Sequence, residues 1–152
     1  MPPPSDSASS NPDVARKREE YSLQPVGYIR STLRTLTEAP RQGSEEAPDA
    51  WLEVNPAFER ALSRLEVGHE VLVISWLHLA DRTVLEVHPR DDPAIPLTGV
   101  FATRSPDRPN PLGIHRVTVR ERSGTRLRIG PIEAIDGTPV VDIKVTLTEH
   151  AD

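Results

Sequence analysis

The residues of this chain best suited to hold a ligand stand in the stretch GVFATRSPDRPNPLG, Gly99 to Gly113. A strand-like run enters it, and Pro106, Pro109 and Pro111 then fix φ and remove backbone donors, so the loop is stiff and cannot continue a sheet. Arg104, Arg108 and Asn110 sit among those prolines. A stiff backbone can hold guanidinium forks and an amide in place before an anionic ligand arrives, which lowers the ordering cost of binding. The same residues also suit a plainer role, a proline-stiffened corner whose arginines pair with surface carboxylates.

A second stretch, EAIDGTPVVDIK from Glu133 to Lys144, places a tight Asp136-Gly137 turn before a strand carrying Asp142 and Lys144. Residues two apart on a strand share a side, so this carboxylate and ammonium project together. They could bind a zwitterionic amino acid group, or form only a salt bridge on a wet face.

Other chemistry is excluded or disfavoured. With no cysteine there is no disulfide, thiolate nucleophile or thiolate metal site. His69, His88, His115 and His150 show no ligand spacing, so no metal site is expected. His78 reads either as an ordinary strand-end imidazole or as a site residue. The net charge of −5 argues against a surface that binds nucleic acid mainly by neutralising phosphates. No run approaches the ~20 apolar residues of a membrane span, and the N-terminus lacks a secretory apolar core, so a cytoplasmic protein without membrane association is expected.

The elements that must position these residues are mostly strands. Short β-branched and apolar runs separated by Gly, Pro and Asp predict strands at Val26–Ser31, Glu70–Leu79, Thr83–His88, Thr98–Thr103, Ile114–Glu121, Arg126–Ile132 and Val140–Leu147. Val117 and Val119, then Leu127 and Ile129 beyond the Ser123-Gly124 turn, alternate with polar residues and predict a hairpin with one wet face. VLVISWL is apolar almost throughout, as suits a strand covered on both faces or at an interface. One helix is expected, capped by Asn55, with Pro56 in its first turn and an apolar stripe of Ala57, Phe58, Ala61, Leu62 and Leu65. Residues 38–50 read as a polar loop. The Pro-, Ser- and charge-rich residues 1–24 predict a disordered tail, leaving 25–152 as one domain: mainly β with one or two helices, closed into a single mixed β-barrel.

At this point the chain resembles a family. GVFATRSPDRPNPLG and DGTPVVDIK are similar to the signature segments GVFATRSxxRPNPIG and DGTPVxDIKPY of the TrmO/TsaA methyltransferases, PVGYIRS resembles that family's PIGxIRS, and APRQG resembles its PRQ segment. The resemblance runs from Pro25 to about Leu147. It implies a β-barrel methyltransferase that uses S-adenosylmethionine, usually as a homodimer, with characterised members methylating N6 of a threonylcarbamoyl-modified adenosine at position 37 of tRNA. It nominates as cofactor-binding residues Arg41, Gln42, His78, Arg104, Ser105, Arg108, Asn110, Gly113, Asp136, Gly137, Thr138, Asp142 and Lys144. It also makes Asp142 the candidate catalytic base.

Departures from the pattern bear on the acceptor. The family's Pro-Tyr after DIK is here Val145-Thr146, which removes an aromatic platform for an unstacked base. The family's Ser-His near the start of the long apolar strand corresponds to His69-Glu70. The sequence ends at Asp152, so the extra C-terminal domain that tRNA-methylating bacterial members of the family carry is expected to be absent. The expectation is therefore a retained cofactor site with an altered acceptor site, the acceptor being tRNA or a small-molecule nucleophile. The alternative class is a cofactor-binding regulatory or structural barrel without transferase activity.

Overall fold

A computed structural model describes residues 19–35 and 47–147. Its strands in chain order are β1 (Gly27–Arg30), β2 (Ala50–Val54), β3 (Glu70–Trp76), β4 (Glu86–Val87), β5 (Thr98–Gly99), β6 (Leu112–Ser123), β7 (Arg126–Gly130) and β8 (Pro139–Val145). Six of them close into a barrel in the order β1-β2-β7-β6-β3-β8, and β4 with β5 forms a separate two-stranded ribbon. The expected barrel is present, with ladders that are all antiparallel rather than mixed in direction.

Period-two patterning explains closure. On β6, Gly113, His115, Val117 and Val119 point into the barrel while Leu112, Ile114 and Arg116 point out. Ile29, Leu52, Val73, Val119, Leu127 and Ile129 are wholly buried. Each contributes on the order of 1.5–3 kcal/mol by leaving water. The expected β6–β7 hairpin forms around Ser123 and Gly124, with Ser123 paired to Arg126.

Several elements differ from the sequence expectation. Ala50–Val54 is a barrel strand that the sequence reading left between a loop and a helix; five residues is short, although Ala50, Leu52 and Val54 are buried in clean alternation. The expected helix is instead a pair of tight 3-10 turns over Pro56–Leu62, broken at Phe58, with Asn55 Oδ1 accepting from Ala57 N at 2.9 Å as the cap. Its stripe still does the expected packing, since Leu62 joins the core and Phe58 and Leu65 lie against it. The strands expected at 83–88 and 98–103 shrink to the two-residue β4 and β5, because Val100–Ala102 turns into 3-10 geometry. Residues 19–24, at the end of the expected tail, form no strand or helix, and Tyr21 and Leu23 are exposed.

VLVISWL is not buried on both faces of the barrel wall. Val71, Val73 and Ser75 face the core, whereas Leu72, Ile74 and Trp76 are half-buried on the outside. There they adjoin Leu112 and Ile114, which are 41% and 50% exposed. The outer face of β6 and β3 is thus an apolar patch.

Candidate functional site

The two signature segments leave the same end of the barrel. β3 ends and β6 begins at the paired residues Trp76 and Leu112, so the 99–111 loop emerges there; residues 131–138 join β7 to β8 at that end. The first loop holds itself together. Thr103 Oγ1 accepts from Ser105 N (3.1 Å) and donates to Val100 O (2.9 Å), and Ser105 Oγ accepts from Asp107 N (3.3 Å). Arg108 is consumed by its own loop: Nε donates to Ser105 O (2.8 Å), and Nη2 donates to Val100 O and Thr103 O, each at 2.6 Å. Arg104 is different. It is exposed and among the described residues makes one long bond, Nη2 to Ile114 O at 3.4 Å, which leaves most of its donors without a partner there and suited to an anionic ligand.

Arg82, which the sequence reading did not single out, clamps this loop from outside. Its Nε donates to Pro109 O (2.7 Å), its Nη2 donates to Asn110 Oδ1 (3.1 Å), and its guanidinium lies 5.1 Å from the Trp76 ring centre. With Oδ1 taken, Asn110 presents its NH2 group as a donor. The neighbouring turn is tied in by Asp107, whose Oδ1 accepts from Asp81 N at 2.8 Å. The Thr83 hydroxyl, and then its backbone N–H, hold the Asp81 carboxyl below its usual range.

The second segment is pinned mainly through backbone. Asp136 N donates to Leu33 O (2.7 Å), Gly137 N donates to Ile29 O (2.7 Å), and Asp136 Oδ1 accepts from Ser31 N (3.0 Å). Gly137 sits at φ 86°, a left-handed turn position suited to glycine. Thr138 is buried and donates its hydroxyl to Ile135 O at 2.7 Å, so it closes the turn rather than facing a ligand. Gly113 is also buried. A Cβ there would stand 2.7 Å from Ser75 Oγ and 3.0 Å from His115 Nε2, which gives this glycine a packing role.

The remaining nominated residues stand elsewhere. Asp142 and Lys144 project together as expected, but on the outer face, paired across β3 with Ile74 and Leu72, and 3.9 Å apart. Asp142 Oδ1 also accepts from Ile143 N at 2.9 Å. β8 pairs with β1 only at Pro139 and Val140, and below that an apolar cleft of about 640 Å³, lined by Val26, Phe58, Leu65, Ile143 and Val145, opens at the opposite barrel end. Asp142 lies on its lip. His78 is exposed, and Arg41 and Gln42 lie outside the described residues. The structure therefore gathers Ser105, Asn110, Gly113 and Asp136–Thr138 at the mouth, with Arg104 reaching from that loop to the edge of the outer apolar patch, and puts Asp142 and Lys144 on the other side of the patch.

Sequence reasoning also missed a buried chain at the mouth, Ser75–His115–Glu133, linked by contacts of 2.7 Å each. Period two could have shown it, since Ser75 and His115 both occupy inward positions of apolar strands. Among the described residues no group of three or more His, Cys, Asp and Glu could hold a metal ion, and no helix is long and apolar enough to cross a membrane.

Known proteins are similar to this chain in sequence and in fold. The family model for the tRNA-methyltransferase O N-terminal domain matches residues 28–152. A probable S-adenosyl-L-methionine-binding protein of Methanothermobacter thermautotrophicus is 41% identical over 125 residues, covering 82% of this chain and 89% of that protein. An S-adenosyl-L-methionine-binding protein of Archaeoglobus fulgidus is 35% identical over 122 residues, covering 80% and 86%. The crystal structure of TrmO from Pseudomonas aeruginosa superposes with a TM-score of 0.67 at 34% identity, covering 85% of this chain but 57% of that one. The stiff RSPDRPNPLG loop and the DGTP turn at one barrel mouth, together with these matches, show that the chain belongs to the family of the tRNA-methyltransferase O N-terminal domain.

Proposed function

We propose that the chain binds S-adenosylmethionine and transfers its methyl group to a nucleophile. The observation that carries this reading is the contrast between two arginines of one loop: Arg108 is spent on three carbonyls, and Arg104 makes only one long bond among the described residues, beside a stiff backbone. The donor set suits the ligand. Arg104 can take its carboxylate in a bidentate fork, the Asn110 NH2 group can meet an adenine or ribose acceptor, and the resemblance adds Arg41 and Gln42. When bound, this cofactor supplies a methyl group already activated by a sulfonium, so the chain needs neither a metal nor a covalent nucleophile. The protein's share is to bind, to exclude water and to align the acceptor.

The reading includes a homodimer formed through the outer face of β6 and β3. Leu72, Ile74, Trp76, Leu112 and Ile114 make a continuous apolar patch bordered by Arg104 on one side and by Asp142 and Lys144 on the other. A second copy seated there would enclose Arg104 and Asp142, residues that one protomer leaves in solvent, and a role for Asp142 as base rests on that enclosure. The reading includes a cytoplasmic location.

For the acceptor, tRNA adenosine and a small-molecule nucleophile both fit the family, and the surface favours the small molecule. Five outer arginines of β1, β6 and β7 share four carboxylates, which cancel most of their charge: Arg30 and Arg126 face Glu53, Arg128 faces Asp49 and Glu121, Arg120 faces Asp49, and Arg116 faces Glu70. Such a surface offers phosphates little. Mass spectrometry of tRNA nucleosides with and without the gene, beside methyl-transfer assays on small nucleophiles, tests this. A methylated nucleoside that disappears with the gene identifies tRNA as the acceptor. The second reading, a binding barrel without transferase activity, draws on relatives named only as binding proteins; tight binding with no transfer to any acceptor would establish it.

A further inference from the structure

The buried chain at the barrel mouth ends in a carboxylate with an unfilled valence. Ser75 on β3 is wholly buried, and its Oγ lies 2.7 Å from His115 Nε2. His115 Nδ1 lies 2.7 Å from Glu133 Oε2. A carboxylate only accepts, so Nδ1 carries a proton and donates it to Glu133. The Ser75 hydroxyl has no other acceptor among the described residues, so it donates to Nε2, and an imidazole protonated at Nδ1 alone satisfies both of its ring nitrogens and the hydroxyl, leaving only the second Glu133 oxygen unused. Gly113 leaves the room this needs, since a Cβ there would crowd Ser75 Oγ and the imidazole.

Glu133 differs from the other part-buried acids among the described residues. Its side chain is only 20% exposed, its one side-chain contact among the described residues is the hydrogen bond from His115, and its second oxygen has no partner there. Asp49, Glu53, Glu70 and Glu121 each face an arginine, Asp142 faces Lys144, and Asp136 accepts from a backbone N–H. A largely buried carboxylate without a cation is costly, and a cationic ligand group that seats against its open oxygen offsets that cost. Its position fits such a ligand: Glu133 precedes the Asp136-Gly137 turn in the segment that closes the mouth.

We propose that Glu133, oriented by His115 and Ser75, receives the cationic centre of the ligand bound at the barrel mouth. His115 and Ser75 are positioning residues, and Glu133 is the binding group. The inference rests on the reading that this ligand is S-adenosylmethionine, which carries both a sulfonium and an ammonium.

Calorimetry on the full chain tests it with S-adenosylmethionine and with S-adenosylhomocysteine, which keeps the ammonium but has a neutral thioether. Glu133→Gln retains a carbonyl that accepts from Nδ1–H, so its melting temperature should stay close to wild type while its S-adenosylmethionine affinity falls at least tenfold. A loss confined to S-adenosylmethionine assigns the sulfonium, and an equal loss for both ligands assigns the ammonium. Unchanged affinity in Glu133→Gln overturns the proposal, whereas no binding by the wild-type chain overturns the cofactor reading beneath it. Nitrogen-15 spectra of the imidazole give a readout independent of ligand. His115 should be the Nδ1-protonated tautomer in the wild type and a tautomer mixture in Ser75→Ala; an Nε2-protonated wild type would refute the chain.

Discussion

Arg108→Ala should unfold this protein more easily, while Arg104→Ala should leave its stability alone. The guanidinium of Arg108 donates to Ser105 O, Val100 O and Thr103 O at 2.6–2.8 Å. Hydrogen bonds from a charged group contribute roughly 1.5–3 kcal/mol each, but such contributions are not additive and part of this loop can reach water. A net loss of about 2–4 kcal/mol follows for Arg108→Ala. For a domain of this size that is a fall of roughly 6–15 °C in melting temperature. Arg108→Lys should recover only part of it, because an ammonium lacks the planar fork that spans separated carbonyls. Arg104 makes one bond of 3.4 Å from an exposed position, so Arg104→Ala should change stability by less than about 0.5 kcal/mol. Thermal unfolding followed by circular dichroism measures both. If Arg108→Ala melts within about 2 °C of wild type, or if Arg104→Ala falls as far, then the division of labour between the two arginines is wrong.

Other perturbations follow from the same contacts. Gly113→Ala should cost about 1–3 kcal/mol by driving a methyl into Ser75 Oγ and His115 Nε2, and a double-mutant cycle with Ser75→Ala should show coupling above roughly 0.5 kcal/mol; additive effects would remove the packing explanation. Ile114→Asp, placed in the outer apolar patch, should convert a dimer to a monomer in light scattering with the fold retained, and a wild-type monomer at micromolar concentration would refute the dimer itself. Asp81 has its folded pKa lowered by the Thr83 hydroxyl and amide, so its contribution to the 81–83 turn is present above the ordinary value of 3.8 and is lost as pH falls through the depressed folded value. Amide chemical shifts of Thr83 should follow that acid titration, and shifts that already move near pH 5 would contradict it.

Much of the site was legible because its signals are local. Three prolines mark the 99–113 loop as stiff, and Asp136-Gly137 marks a turn, without any tertiary knowledge. The division between Arg104 and Arg108 was not legible, since it depends on which carbonyls fold back beneath one guanidinium and not the other. Thr138 and Gly113 belong to the signature segments, yet one closes a turn and the other makes room for a buried hydrogen bond. His115 was set aside because it lacks metal-ligand spacing, while its partners lie 40 residues before it and 18 after it. Strand β2 was lost because five residues between a polar loop and a proline give little periodicity to read, and the Phe58 stripe implied a helix where its packing needs only two tight turns. Pairing of Asp142 with Lys144 on one strand was read correctly, but the side they face depends on barrel closure.

The central claim is that the two signature segments make one site for S-adenosylmethionine, with Arg104 as a direct binding group. Isothermal titration of the full chain with S-adenosylmethionine tests it most directly. Saturable binding near one ligand per protomer is expected, weakened about tenfold or more by Arg104→Ala at unchanged melting temperature, as the loss of a charge-assisted hydrogen bond requires. No heat of binding up to about 1 mM ligand, where the interaction would be weaker than about −4 kcal/mol, or equal affinity in Arg104→Ala, would contradict it.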